Sequence, residues 1–286
     1  MPTFFSLFSL GLAQNESRIV IGLQAEPVAL DPAQLSDYNS SRAAMPMFEG
    51  LVRFKSGSTE IEPALAESWE VSNDNLTYTF KIRKGVAFHD GTPVDAAAAK
   101  FSFERQIDPN HPYHDTGEFA YADFTLGTIK SIKVLDPMTL QITLKNPFAP
   151  FLSNLAMHAA SLVSPTALKK YGRDFAQNPV GSGPYRFVSW ERGTELVLSR
   201  NEDYWRGAPS VERLVYRPIV EDQARLAALE SGEIDFTVNL PVDDLPRLRE
   251  DARFHFEEQA GMHTWYVVFN VKKKPFDNPL VRQAVA

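Results

Sequence analysis

His111, His114 and Asp115 stand close enough together to suggest a metal-ligand cluster. Two histidines three apart share a face only on a helix, yet Pro109 and Pro112 break any helix there, and no third strong ligand accompanies them. The segment reads as a solvated loop, and no metal site is assigned. Gly181-Ser182-Gly183 begins like a dinucleotide fingerprint, but Pro184 follows and Arg186 occupies the place of the third glycine. A tight turn between strands is the simpler reading. His89, before Asp90-Gly91, reads as a turn residue, and His158, among apolar neighbours, as a buried imidazole with its hydrogen bonds satisfied. The absence of cysteine removes thiolate nucleophiles, disulfides, zinc–thiolate sites and iron–sulfur clusters together. The sequence contains no Gly-x-Ser-x-Gly elbow, His-Glu-x-x-His helix or Gly-x-x-x-x-Gly-Lys phosphate loop, and its scattered carboxylates single out no acid–base pair. No catalytic residue and no cofactor is assigned, and the chain is not read as an enzyme.

Composition narrows the partners. With 29 basic against 36 acidic residues, a net charge of −7, nothing holds a phosphate backbone, and nucleic acid is not expected. A content of 44% hydrophobic and 23% charged residues is that of a folded globular protein, with length for one large domain or two ordinary ones. Tyr38, Phe119, Tyr121, Trp265 and Tyr266 lie in or beside loops. Aromatics are usually core, but at such positions they also suit the lining of a small-molecule cleft.

These candidates must be positioned by a mixture of hairpins and βα units. Arg18 to Leu23 reads as a buried strand, ended by Pro27 and Pro32, and a helix should follow around Tyr38 to Phe48. Leu76, Tyr78, Phe80 and Ile82 alternate with polar residues in the period of a strand with one buried face, and Ser72 to Asn75 is turn chemistry that makes Trp69 to Val71 its partner. Asp95 is placed to cap a helix over Ala96 to Gln106. Two more hairpins are predicted, Ile129 to Val134 with Leu140 to Leu144 and Tyr185 to Trp190 with Glu195 to Arg200. Glu221 to Glu230 carries Ala224, Leu226, Ala227 and Leu229 at helical spacing, Gly232 stands at the left-handed cap, and strand Ile234 to Val238 follows. The fold class is α/β or α+β.

The two ends carry their own signals. Phe4 to Ala13 is apolar and closes on Gly11-Leu12-Ala13, small residues at the positions a signal peptidase reads, although no Lys or Arg precedes it. A signal peptide over 1–13 is expected. At the other end Asp277-Asn278-Pro279 starts a helix whose apolar face has only begun at Val285, so the chain is expected to be part of a longer protein.

Several segments in order resemble one family: Pro63-Ala64-Leu65-Ala66-Glu67-Ser68-Trp69-Glu70-Val71, Leu76 to Val86, Phe88-His89-Asp90-Gly91, Asn178 to Tyr185, Asn201-Glu202-Asp203-Tyr204-Trp205, Phe269-Asn270, and Pro275 to Ala284. Together they resemble the family 5 extracytoplasmic solute-binding proteins of peptide ABC importers. The resemblance implies a periplasmic-binding-protein-like (type II) α/β fold of two lobes, of which mainly the first, with its extra subdomain, is present. On it the base of lobe one is 16–50 with 180–264, the extra subdomain 51–179, and 265–286 the crossover and start of a truncated lobe two. It implies a periplasmic, monomeric protein that captures a short peptide by lobe closure and delivers it to permease subunits in the inner membrane. Ser36, Asp37 and Tyr38, and the crossover residues His263, Thr264 and Trp265, are expected to face the ligand. Asp37 and Tyr38 stand where glycine and threonine are expected, a departure from the dipeptide-binding pattern. Haem, nickel or glutathione as ligand, and a truncated fragment that binds nothing, are the alternatives.

Overall fold

The computed structural model describes residues 17–258 and 267–285. The signal-peptide reading over 1–13 and the crossover residues His263, Thr264 and Trp265 lie outside the described residues. The chain divides into two units, Met1–Glu250 and Asp251–Ala286. No helix among the described residues is long and apolar enough to cross a membrane.

The first unit runs β1 (Arg18–Leu23), α1 (Tyr38–Ala44), β2 (Val52–Phe54), β3 (Ile61–Pro63), β4 (Ala66–Val71), β5 (Thr77–Ile82), α2 (Ala96–Ile107), α3 (Ala122–Leu126), β6 (Ile129–Asp136), β7 (Thr139–Leu144), α4 (Phe151–Leu155), α5 (Pro165–Tyr171), β8 (Tyr185–Glu191), β9 (Glu195–Arg200), β10 (Arg213–Pro218), α6 (Asp222–Ser231), β11 (Phe236–Thr237) and α7 (Leu245–Glu250). Short 3-10 turns join several of them.

Two main sheets form. A five-stranded sheet has the order β11-β1-β10-β9-β8, with β1 parallel to both of its neighbours and β8 to β10 antiparallel in sequence. Strand β1 reads Arg-Ile-Val-Ile-Gly-Leu because both of its faces are covered. Ile19, Ile21 and Leu23 pack with Leu196, Leu198, Leu214 and the residues of α1 and α5 on one side. Val20 packs with Val197, Val215 and Ala228 of α6 on the other.

The antiparallel sheet β4-β5-β7-β6 has one apolar face. Tyr78, Phe80 and Ile82 of β5 and Leu140, Ile142 and Leu144 of β7 lie under Ala96, Ala99 and Phe103 of α2 in one core. Tyr78 sits opposite Ile142 and Phe80 opposite Leu140, so the alternation in sequence sets the register. Asp95 caps α2 by accepting from the Ala98 amide at 2.8 Å.

Residues 178–184 lead into β8 and pack on residues 46–48, the Gly183 amide donating to the Met47 carbonyl at 3.0 Å. The glycines of Gly181-Ser182-Gly183 are there for close approach. A Cβ on Gly181 would lie 2.0 Å from the Met47 carbonyl oxygen, and one on Gly183 2.5 Å from that of Pro46. His89 grips the same turn from the far side, its amide donating to the Gly181 carbonyl at 2.8 Å and its Nε2 to the Gly183 carbonyl at 2.9 Å. Backbone on backbone leaves a methyl nowhere to go. Gly181→Ala is therefore expected to lower unfolding free energy by about 1–3 kcal/mol or more, read as an earlier urea midpoint. A wild-type midpoint would show that residues 46–48 yield freely.

In the second unit, helix α8 (Pro279–Val285) starts where the sequence predicts. Asn278 caps it by accepting from the Leu280 amide at 2.9 Å, and Phe269 and Phe276 pack with ring centroids 5.0 Å apart.

Candidate functional site

Parallel strands place their carboxyl ends together, and in open α/β sheets that edge is where ligands are held. Here Leu23 of β1 pairs with Pro218 of β10, and Gly22 with Thr237 of β11. The β10–α6–β11 crossover passes over β1, so the loops after all three strands meet at one edge. The β8–β9 turn joins them there, because Leu196 pairs with both Tyr216 and Trp190. This edge comprises residues 24–28, 191–194, 219–221 and 238–240.

Two side-chain groups fix its loops. Glu26 accepts from the Trp190 indole N–H at 3.2 Å and the Gly193 amide at 3.0 Å, while Arg192 lies 3.4 Å over the Trp190 ring and donates to the Pro27 carbonyl at 3.0 Å. Buried Arg225 of α6 donates to carbonyls of the loops after β10 and β11. The buried stripe of α6 is thus Arg225, Leu226 and Ala228, while Ala224 and Ala227 are exposed.

The Ser36-Asp37-Tyr38 loop is tied to this edge. The Val28 amide donates to Ser40 Oγ at 2.8 Å, and that hydroxyl donates in turn to the Asp37 carboxylate. Asp37 also accepts from the Ser40 amide at 2.9 Å, capping α1. Its carboxylate is thus held by its own helix. What the loop presents outward is Ser36 and the ring of Tyr38, which is 52% exposed and stacked 3.9 Å under the Arg42 guanidinium. Nearby, Asn39 Oδ1 and Arg42 Nη1 are buried without a hydrogen-bond partner among the described residues.

Other singled-out residues have different surroundings. His114 Nδ1 bonds the Arg105 carbonyl at 2.9 Å, Asp115 pairs with Arg173, and the His111 ring meets Phe101 edge-on. Among the described residues no three His, Asp or Glu side chains are placed to hold a metal ion. His158 donates from Nε2 to the Leu35 carbonyl at 3.0 Å, and Tyr121 packs edge-on against it.

The motif Asn201 to Trp205 holds the joint between the sheets. Asn201 donates to the Gly183 carbonyl at 3.1 Å, while Tyr204 OH and Trp205 Nε1 donate to Glu49 at 2.9 and 3.0 Å. Ser182 adds a third donor. Burial pushes the Glu49 carboxyl above the usual carboxylate range, against these hydrogen bonds and the charge of Arg206. Two surface depressions, about 310 Å³ between α2 and α5 and about 220 Å³ beside His89, Tyr171 and Arg186, contain none of the carboxyl-edge loop residues. Sequence reasoning missed Glu26, Trp190, Arg192, Arg225 and Glu49. Only the pairing of an Arg with a Gly22 breaking an apolar strand could have hinted at one of them.

Comparison with known proteins gives this geometry a context. A profile described as Bacterial extracellular solute-binding proteins, family 5 Middle, matches residues 60–286. The chain is similar to Heme-binding protein A of Haemophilus influenzae, 38% identical over 91% of this chain and 50% of that protein. It is similar to Glutathione-binding protein GsiB of Pectobacterium atrosepticum, 36% identical over 93% of this chain and 50% of that one. Among solved structures, the periplasmic binding protein DppA of Helicobacter pylori in complex with peptide STSA superposes with a TM-score of 0.85 at 36% identity, over 94% of this chain and 56% of that chain. The chain spans about half the length of the relatives it matches.

Proposed function

The chain belongs to the family 5 bacterial extracellular solute-binding proteins, and from that premise we propose that it serves an ABC importer by capturing short peptides for delivery to the permease. The carboxyl edge of β1, β10 and β11 is the ligand face of lobe one. Ser36, Asp37 and Tyr38 border it, and His263, Thr264 and Trp265 complete the proposed set of ligand-contacting residues. In this reading residues 16–50 with 180–264 are the base of the lobe and 51–179 its extra subdomain. The segregation of the two sheets into those stretches supports the division. The protein acts without chemistry on its ligand, as a monomer in the periplasm, after removal of a signal peptide over 1–13. The observation that carries the reading is the held cluster of loops at the parallel-strand edge, in a fold whose solved neighbour holds a peptide.

Thermal unfolding of the protein purified from its host, with and without ligand, tests it. Tri- and tetrapeptides at about 100 times their dissociation constant should add about 2.7 kcal/mol of stability. A shift with haemin, glutathione or a nickel complex and none with any peptide would replace peptides with that ligand.

A further inference from the structure

The strands β1, β10 and β11 end side by side, and past Ile219, whose amide donates to the Leu23 carbonyl at 2.8 Å, side-chain hydrogen bonds tie the loops together. We propose that Arg225 is a positioning residue for ligand binding, fixing the loops after β10 and β11 in one arrangement on the ligand face. The inference rests on the binding reading above and names the residue that sets the rim of its site.

Arg225 is fully buried. Its Nη1 donates to the carbonyls of Ile219 and Val220 at 2.8 and 3.3 Å, and its Nη2 donates to the Asn239 carbonyl at 3.0 Å and to the Asp222 carboxylate. Asn239 has φ +58°, the left-handed conformation that asparagine tolerates. Its side-chain amide then donates to Gln24 Oε1 at 2.8 Å, one residue past the end of β1. One planar guanidinium therefore gathers three carbonyls from two loops, and Asn239 carries the link to the third. A lysine ammonium, a point charge without the fork, cannot reproduce that set.

The sheet is shaped around this side chain. A Cβ on Gly22 of β1 would come within 2.6 Å of Ile234 Cδ1 and 3.2 Å of Arg225 Cγ. The glycine leaves the space across which the arginine stem reaches the rim.

Stability alone does not favour the arrangement. A buried charge is costly unless it is well paired, and an apolar residue of similar volume is often neutral or better. Here the carboxylate partner Asp222 is 59% exposed, and Arg225 Nε has no hydrogen-bond partner among the described residues. What arginine supplies and methionine cannot is direction to three loop carbonyls. Loops already ordered before the ligand arrives lose less entropy on binding it.

Arg225→Met and Arg225→Lys test this with two readouts, hydrogen exchange of the amides in 219–221 and 238–240 and affinity for tri- and tetrapeptides. The methionine variant is expected to keep a cooperative thermal transition, to exchange those amides at least tenfold faster while β1 and β10 stay protected, and to lose at least tenfold in affinity. The lysine variant should fall between and decides the matter if the methionine variant does not fold. Unchanged exchange, unchanged affinity in a protein that binds peptide, or acceleration spread equally over the whole sheet would overturn the proposal. If the wild-type protein binds no peptide, haemin or glutathione, the binding reading fails alone, and the exchange readout still decides whether Arg225 orders the rim.

Discussion

Replacing Asp31 by alanine is expected to lower the unfolding free energy by about 3–5 kcal/mol, a fall in Tm of about 10 °C for a chain of this size. Asp31 is 0% exposed and faces Arg105 of α2, whose side chain is 1% exposed, in a two-pronged ion pair with Nη1 and Nη2 at 2.8 and 2.6 Å. The carboxylate also accepts from the Ala33 amide and the Gln34 side chain at 3.1 and 3.0 Å. Every lone pair is therefore in use, which is the condition under which a buried pair offsets its own desolvation. Removing the carboxylate leaves the guanidinium buried with no counter-charge and its Nε already without a partner. The double variant Asp31→Leu/Arg105→Met removes both charges and should lose much less than Asp31→Ala alone. Urea unfolding of the three proteins reads this directly. An Asp31→Ala protein within 1 kcal/mol of wild type would mean that water reaches the pair. The pair matters for the proposed ligand face because Asp31 lies on the segment between β1 and α1. It anchors that segment to α2, as the Leu30 amide anchors it to the Ala176 carbonyl at 2.9 Å.

What the sequence made legible was local. The hairpins β4–β5, β6–β7 and β8–β9 came from alternation and turn residues within about 20 positions, and Asp95, Gly232 and Asn278 mark helix ends through the hydrogen bond or left-handed φ that each type favours. The sheet order was not legible, since β1 meets β10 almost 200 residues later and nothing in Arg-Ile-Val-Ile-Gly-Leu names its partner. The strand before α7 is shorter than Ile234 to Val238, covering only Phe236–Thr237, because Asp235 is drawn instead into a bond from the Val20 amide to its carboxylate at 2.8 Å. Gly181-Ser182-Gly183 read as a turn, yet both glycines answer to backbone over 130 positions away. Asp31, Arg105 and Arg225 look like surface charges in a string of letters. Only tertiary packing turns them into buried ones. The family was legible because its motifs lie in order along the chain, whereas the residues that shape the rim sit at single positions with no pattern of their own.

His89 makes acid the second large lever on this protein. Burial holds its imidazole down to about 4 from an ordinary 6.5, opposed by the hydrogen bond to the Gly183 carbonyl, reinforced by the charge of Arg186 and opposed again by Asp90. A carbonyl accepts only, so Nε2 carries the proton of the neutral ring, and Nδ1 is buried without a partner. Protonation would put an N–H there with nothing to receive it. The unfolded chain takes up the proton near pH 6.5 and the folded one only near 4, so His89 contributes its full stability above pH 6.5 and loses it as pH falls toward 4. The shift corresponds to about 3 kcal/mol between pH 7.5 and pH 4. Glu49 acts in the opposite sense, because a carboxyl raised by burial gains its proton first in the folded state and favours folding as pH falls. Asp90 is raised by burial but held below its ordinary value overall by bonds from Ser164 and Thr92, and its loss comes at lower pH still. The difference between wild type and His89→Gln isolates the imidazole, since glutamine can keep the donor to Gly183 without titrating. Wild type should lose about 3 kcal/mol more than His89→Gln between pH 7.5 and pH 4 in urea unfolding. Parallel pH profiles for the two proteins would mean that His89 gains its proton in the folded state as readily as in water, and that the clasp on Gly183 opens to admit it.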